Sequence, residues 1–166
     1  MKVSVIGTGK TGSAVLNLLG DKPIGFNSQN RPSAEKLRKT DVAIIFVPGS
    51  AAEEVIEMVL KAGIPAVWGT TGYTWPQNLS QKVQGINKSW VIGSNFSLGM
   101  NLIRKTLNVF GKGAKLLRQP DFAIHEVHHT QKKDAPSGTA LSWQQWLGHK
   151  ATITSEREGD IKGIHQ

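Results

Sequence analysis

The chain has 166 residues, 39% of them hydrophobic, and no cysteine, so a packed core is expected while disulfides and cysteine-ligated metals are excluded. No run approaches the ~18 uninterrupted apolar residues of a membrane helix, and Met1-Lys2 leads straight into a strand pattern rather than a signal peptide, so a soluble cytoplasmic protein without a membrane partner is expected. The formal charge is +8, with 12 Lys+Arg against 6 Asp+Glu in residues 1–111 and 8 against 6 in the remainder, which favours an anionic ligand in the first part and, without an aromatic-interleaved basic stripe, gives no case for nucleic acid.

Lys2-Val-Ser-Val-Ile-Gly is a β-rich run. Gly7-Thr8-Gly9-Lys10-Thr11-Gly12 follows and opens a helix over 13–19. This is G-x-G-x-x-G in the context that gives it meaning, a strand before and a helix after. Two glycines allow a tight turn and close approach to a pyrophosphate, and the third lets helix and strand pack. The next strand, residues 23–26, is expected to end in an acidic residue if a ribose 2′-hydroxyl is read. Here Phe26 is followed by Asn27-Ser28-Gln-Asn-Arg31, with no acid before Glu35. Asn27, Ser28 and Arg31 suit a 2′-phosphate, which favours NADPH and leaves NADH possible.

Residues 41–47, Asp-Val-Ala-Ile-Ile-Phe-Val, form the continuous apolar run of a buried parallel strand. Ser50 with Glu53 reads as a capping box. The helix it opens presents Val55, Ile56, Val59 and Leu60, and Gly63 stops it. Residues 65–68 make another strand, ending in the turn Gly69-Thr70-Thr71-Gly72. Strand carboxyl ends are where open α/β sheets hold ligands. A short helix over 75–83 and a strand over 90–93 follow, then Ser94-Asn95-Phe96-Ser-Leu-Gly-Met-Asn. A helix runs over about 100–110, ended by Gly111 and Gly113.

The most informative stretch is 121–140, DFAIHEVHHTQKKDAPSGTA. His125-Glu126-Val-His-His129 spells H-E-x-x-H, a zinc signature that works only on a helix. Pro120, Pro136 and the apolar pattern argue for a strand over 121–128 instead. His128, His129 and Lys132 then gather where the strand gives way to a loop. Pro136-Ser137-Gly138-Thr139 opens a helix over 139–147, whose free N–H groups suit a carboxylate. The plainer reading is surface histidines and an ordinary helix cap. Residues 151–155 read as a strand, and 157–165 as a turn and another strand.

The run EVHHTQKKDAPSGTA closely resembles the signature of the dihydrodipicolinate reductase family. GTTG at 69–72, NFSLGMN at 95–101 and REGDIKGIH at 157–165 also match its pattern. One departure is Ile45-Phe46-Val47, where the family has Asp-Phe-Thr/Ser. The resemblance covers the whole chain, which stops at Gln166 where family members continue. It implies a Rossmann-like doubly wound α/β sheet over 1–96 and a smaller α+β substrate lobe over 97–166, with the active site between them. It implies NAD(P)H-dependent reduction of 4-hydroxy-tetrahydrodipicolinate or dihydrodipicolinate, a small cyclic dicarboxylate, by a homo-oligomer of lysine and diaminopimelate biosynthesis. His128 and Lys132 become the catalytic acid/base candidates. His129, Ser137, Gly138 and Thr139 become substrate-carboxylate contacts. Gly69, Thr70, Thr71, Ser94, Asn95 and Phe96 become cofactor contacts beside Gly7–Gly12. Lys133 receives no role, and no metal is implied. Two other readings stay open: a nucleotide-binding protein with impaired or no catalysis, and a zinc hydrolase through His125, Glu126 and His129.

Overall fold

The computed structural model describes residues 1–166 except Asp21 and Gln119. It consists of two compact units, Met1–Phe96 and Ser97–Gln166.

The first unit is a five-stranded parallel sheet with helices between the strands. In chain order it comprises β1 (Val3–Ile6), α1 (Lys10–Leu19), β2 (Ile24–Phe26), α2 (Ala34–Leu37), β3 (Val42–Ile45), α3 (Gly49–Ala62), β4 (Ala66–Trp68), α4 (Leu79–Gly85) and β5 (Trp90–Ile92). The strand order is β2-β1-β3-β4-β5, every neighbouring pair parallel. The order reverses at β1, so the crevice beyond the carboxyl ends of β1 and β3 is the topological switch point. All four residues of β1 are buried, as expected of a strand covered on both faces. The core gathers Ile6, Phe26, Leu37, Ile45, Ile56, Val59 and Trp68. Each large apolar side chain so buried contributes about 1.5–3 kcal/mol. Trp68 is fully enclosed between Trp75 and Trp90, both at 5.4 Å between ring centroids.

Several boundaries depart from expectation for local reasons. Helix α1 begins at Lys10, three residues earlier than the sequence suggests, because Gly9 serves as its N-cap and Gly12 lies inside its first turn. Helix α2 was not anticipated. Ser33 caps it by accepting from the Lys36 N–H, and Leu37 anchors it in the core. Helix α3 starts at Gly49 with Pro48 at the N-cap, so Ser50 lies inside the helix and the Ser50–Glu53 capping box does not form. Gly63 does close α3, in the left-handed conformation, with its N–H on the Val59 and Leu60 carbonyls. Helix α4 starts only at Leu79. Trp75 lies outside it and instead packs edge-on against Trp68 and Tyr73.

The second unit holds α5 (Leu98–Ala114), β6 (Ala123–His128), α6 (Gly138–Leu147), β7 (Thr152–Arg157) and β8 (Ile164–His165). Its sheet order is β7-β6-β8, with β6 parallel to β7 and antiparallel to β8. Central β6 therefore takes both of its neighbours from later in the chain. Ile124, Ala140 and Ala151 form the small core with Phe122, Trp143 and Ile153 against it. Helix α5 is longer than expected and runs through both Gly111 and Gly113. At Gly111 the reason is packing: an added Cβ would stand 1.8 Å from the Leu147 carbonyl oxygen at the end of α6. That glycine is a contact point between two helices, not a stop signal.

Candidate active site

At the carboxyl end of β1, Gly7 has φ +91°, and a Cβ there would meet the Phe46 carbonyl oxygen at 2.3 Å. Only glycine fits both demands. A Cβ on Gly12 would stand 1.9 Å from the Gly7 carbonyl oxygen, so the third glycine seats α1 on the loop. Gly9 has nothing within 4 Å of where a Cβ would be. It faces open space, as a ligand approaching the backbone requires. No side chain caps α1, and its first-turn N–H groups, with Lys10 and Thr11 exposed beside them, form an anion site.

Next to this loop lies a cavity of about 390 Å³. Its apolar wall is Val47, Pro48, Ala51, Val55 and Met58, and its polar rim is Asn27, Ser28, Arg31 and Glu54. The rim residues do different things. Asn27 Oδ1 accepts from the Gln29 and Asn30 N–H groups, both at 2.9 Å, and its Nδ2 donates to Thr8 Oγ1 at 3.1 Å. Asn27 therefore shapes the turn and ties it to the glycine loop, with one of its Nδ2 hydrogens, the groups that could donate to a phosphate, spent on Thr8. Ser28 and Arg31 are exposed. The Arg31 backbone carbonyl accepts from Lys36 Nζ at 2.9 Å, and that ammonium sits 5.8 Å from the Phe26 ring centroid. Glu54, contributed by α3, escaped the sequence reading because only the parallel pairing of β1 with β3 brings it to this cavity.

The remaining first-unit candidates lie along the same carboxyl edge. At the end of β4 the Phe46 ring lies against Gly69, where a Cβ would be 2.4 Å from Cε1. Thr70 is buried and its hydroxyl donates to the Val47 carbonyl at 3.0 Å, so it braces the turn. Thr71 is exposed. After β5, Ser94, Asn95 and Phe96 are exposed, with the Phe96 ring over Gly93.

In the second unit, residues 125–128 lie on strand β6, not on a helix. Successive side chains of a strand point to opposite faces. His125 and Val127 thus share one face, and Glu126 and His128 the other, while His129 lies just beyond the strand. His125 Nδ1 lies 3.0 Å from Thr154 Oγ1. The helical zinc motif through His125, Glu126 and His129 is not assembled.

What does assemble is centred on Glu126, which is 0% exposed. Its Oε1 accepts from the Ser137 N–H at 2.9 Å and from the Ser155 hydroxyl at 2.8 Å. Its Oε2 faces His128 Nε2 at 3.4 Å and His165 Nε2 at 3.3 Å. Burial pushes this carboxyl up, but the bonds from Ser137 and Ser155 and the nearby His128 outweigh it and bring it down to about 2. Glu126 is therefore an anion at neutral pH. Burial pushes His165 down and the His128 charge adds to that, against an opposing pull from Glu126.

Ser137 caps α6. Its Oγ accepts from the Ala140 N–H at 3.2 Å and lies 3.1 Å from His165 Nε2. Gly138 and Thr139 follow as the first two helical residues, whose N–H groups precede any intrahelical bond. Lys132 Nζ reaches both oxygens of Asp134, at 2.7 and 2.9 Å. The bond from Lys132 holds the Asp134 carboxyl below its usual range. Arg157 fastens this loop by donating to the Lys132 carbonyl at 3.2 Å and also to that of Asp134. Of the residues singled out in sequence, His128, Ser137 and Lys132 thus belong to one polar cluster. His129 lies just past the end of β6 and makes no side-chain bond to this cluster among the described residues. Glu126, as an organising group, and His165 and Asp134 were missed. Only the spacing of Glu126 two residues before His128 pointed to a shared face.

These features define a Rossmann-like α/β unit, with a glycine loop at its switch point, followed by an α+β unit. Family models for the N-terminal and C-terminal parts of dihydrodipicolinate reductase match residues 17–96 and 99–166. The chain belongs to the dihydrodipicolinate reductase family. It is 32% identical to the 4-hydroxy-tetrahydrodipicolinate reductase of Thermosipho africanus over 99% of this chain and 76% of that one. It is 37% identical to the Methanocaldococcus jannaschii protein of the same name over 94% of this chain. Of that relative, and of the one from Methanobrevibacter smithii, the chain spans 62% and 50% of the length. Among solved structures it resembles a dipicolinate-bound dihydrodipicolinate reductase from a Paenisporosarcina species, with a TM-score of 0.75 at 23% identity, covering 99% of this chain and 81% of that one. Aspartate dehydrogenase from Thermotoga maritima shares the fold at a TM-score of 0.54 and 12% identity, covering 99% and 82%. Among the described residues no helix is long and apolar enough to cross a membrane.

Proposed function

We propose that this chain carries the nicotinamide-dependent reduction of 4-hydroxy-tetrahydrodipicolinate or dihydrodipicolinate to tetrahydrodipicolinate, in the cytoplasm, as part of lysine and diaminopimelate biosynthesis. The observation that carries this reading is the second-unit cluster. An imidazole, an ammonium and the Ser137-capped start of a helix stand together on β6, α6 and the loop between them. The dipicolinate held by the Paenisporosarcina relative supports a flat ring with two carboxylates as the ligand. When bound, a reduced nicotinamide supplies the hydride. The chain's own groups do the rest. First-turn N–H groups at Gly138 and Thr139 take one substrate carboxylate, with Ser137 and His129 at its margin. Hydride addition builds negative charge on the ring, and His128 or Lys132 offsets that charge with a proton. The reading requires neither a metal nor nucleic acid. Exposed Leu98, Leu102, Val109 and Phe110 on α5 support a homo-oligomer.

The test is loss of reduced-nicotinamide absorbance on mixing the purified chain, the cofactor and the unsaturated dicarboxylate. Oxidation that depends on the dicarboxylate is expected. Cofactor binding without any turnover would favour a nucleotide-binding protein that does not catalyse, and no binding of either cofactor would remove the reading.

NADPH is the proposed cofactor, with NADH accepted, because Arg31 and Ser28 rim the cavity beside the glycine loop. A charge-assisted hydrogen bond contributes about 1.5–3 kcal/mol. Arg31→Ala is therefore expected to weaken NADPH binding by about 10- to 100-fold and to leave NADH unchanged, as read by calorimetry. Glu54 on the same rim works against this preference, since an acid suits a ribose hydroxyl better than a phosphate. If NADH binds the unaltered chain tighter than NADPH, Glu54 sets the choice and the Arg31 argument is wrong.

A further inference from the structure

Carboxylates are almost never fully enclosed unless paired, and Glu126 is enclosed completely. Its two oxygens divide their work. Oε1 is held by the Ser137 N–H on α6 and the Ser155 hydroxyl on β7, with Arg157 Nη1 at 4.0 Å. Oε2 is left to the two imidazoles, His128 on its own strand and His165 on β8. Glu126 Oε2 and His128 Nε2 are both sealed from solvent and neither has a hydrogen-bond partner among the described residues, so charge and close packing at 3.4 Å, not a formed bond, hold them together. The His128 ring is also confined from the side. A Cβ on Gly163, whose φ is +127°, would stand 2.9 Å from its Cε1. The His165 ring meets it edge to face at 5.0 Å.

A buried ion cluster is a poor way to stabilise a fold. Well-packed apolar residues of the same volume commonly do as well or better. What a buried carboxylate does well is fix the orientation of the groups that bond to it or are held against it by charge. We infer that Glu126 is the positioning residue of this site, holding the His128 ring, the His165 ring and the start of α6 in one fixed arrangement, so that the proton donor and the carboxylate cradle cannot move independently. The inference rests on the proposed reductase reading for its kinetic consequences, but its geometry stands apart from it. Sequence alone gave His165 no role. Here it is the second ring that the carboxylate holds.

The charged groups facing the cluster are His128 on β6, Arg157 on β7, His165 on β8 and Lys132 in the loop before α6. Glu126→Gln keeps the side chain's shape and an acceptor for Ser137 and Ser155 but removes the charge. In the full chain, E126Q is expected to retain its fold by circular dichroism and to bind cofactor within twofold of the unaltered chain. Histidine titration by NMR should show His165 losing its proton at lower pH than before, because the Glu126 charge that opposes its depression is gone. With the dicarboxylate, kcat should fall at least tenfold with a displaced pH profile, while KM changes less than threefold. Glu126→Asp, which keeps the charge on a shorter arm, should recover part of the loss. If E126Q does not fold, the same titration and kinetics on E126D decide, with both measures expected to lie between those of the unaltered chain and zero.

Unchanged imidazole titrations together with an unchanged kcat profile would overturn the inference. So would stoichiometric metal in the purified chain that E126Q loses, since a metal would then be what holds the rings. If the unaltered chain proves inactive, the reductase reading fails on its own, and the imidazole titrations still decide whether Glu126 positions the rings.

Discussion

Lys132→Ala is expected to lower kcat for dicarboxylate-dependent cofactor oxidation by about 10²–10⁴-fold, the usual contribution of a positioned proton donor. The ammonium is held for the task. It donates two bonds to Asp134, Arg157 ties down the Lys132 backbone carbonyl, and the Lys132 backbone N–H donates to the His129 carbonyl at 3.1 Å. A lysine kept only as a solvated surface charge would not be fastened at both ends. Cofactor affinity should stay within twofold, because the glycine loop and its cavity belong to Met1–Phe96. KM should change much less than kcat, the mark of an interaction made mainly in the transition state. Steady-state kinetics with a parallel calorimetric titration of cofactor separate these outcomes. A loss of under threefold in kcat would leave Lys132 a structural role only, as the partner of Asp134.

Asp134 bears on the same experiment. Its carboxylate occupies the Lys132 ammonium four residues before the start of α6. A substrate carboxylate approaching this loop meets an ammonium that already has an anion. The pair therefore keeps Lys132 oriented until substrate arrives, at the cost of competition for the same cation.

Local chemistry was legible in the sequence; long-range partnership was not. The strand–glycine loop–helix at 3–19 could be read because its turn and the approach of Gly12 to Gly7 are local, although the Phe46 carbonyl that Gly7 must clear comes from the end of β3. Residues 121–128 could be read as a strand against the zinc motif because Pro120 and Pro136 flank the run and Phe122, Ile124 and Val127 make no helical stripe, while an H-E-x-x-H site needs period 3.6. The polar cluster could not be read in full. Ser155 and His165 reach Glu126 from 29 and 39 residues further on, through β7 and β8 pairing on either side of β6. Nor does sequence tell which polar side chains the turns themselves consume. Asn27 and Thr70 match a ligand-binding pattern, yet their principal bonds close backbone turns. The residue types were right, but much of their hydrogen-bonding capacity is spent within the fold.

Gly111 and Gly113 looked alike in sequence, as two helix stops, and they are expected to respond to alanine with opposite signs. Both lie inside α5. A Cβ at Gly113 meets nothing within 4 Å, so Gly113→Ala should stabilise the chain by about 0.5–1 kcal/mol through reduced backbone entropy of the unfolded state. A Cβ at Gly111 would stand 1.8 Å from the Leu147 carbonyl oxygen and 2.8 Å from its carbon. That is backbone, at the last residue of α6, and it cannot swing aside as a flexible side chain would. The same joint carries a bond from His149 Nε2 to the Gly111 carbonyl at 2.8 Å and the edge-to-face pair of Phe110 and Phe122. Overpacking of this kind costs about 1–3 kcal/mol, and more where the obstacle is rigid. Against the roughly 1 kcal/mol that alanine gains over glycine in a helix, the net for Gly111→Ala is a loss of about 2 kcal/mol or more. Urea unfolding should show it, and amide exchange should show it first in α5 and α6, leaving β1–β5 protected. Equal responses of the two variants would mean that α5 and α6 do not meet at Gly111, and that the glycine is a stop after all.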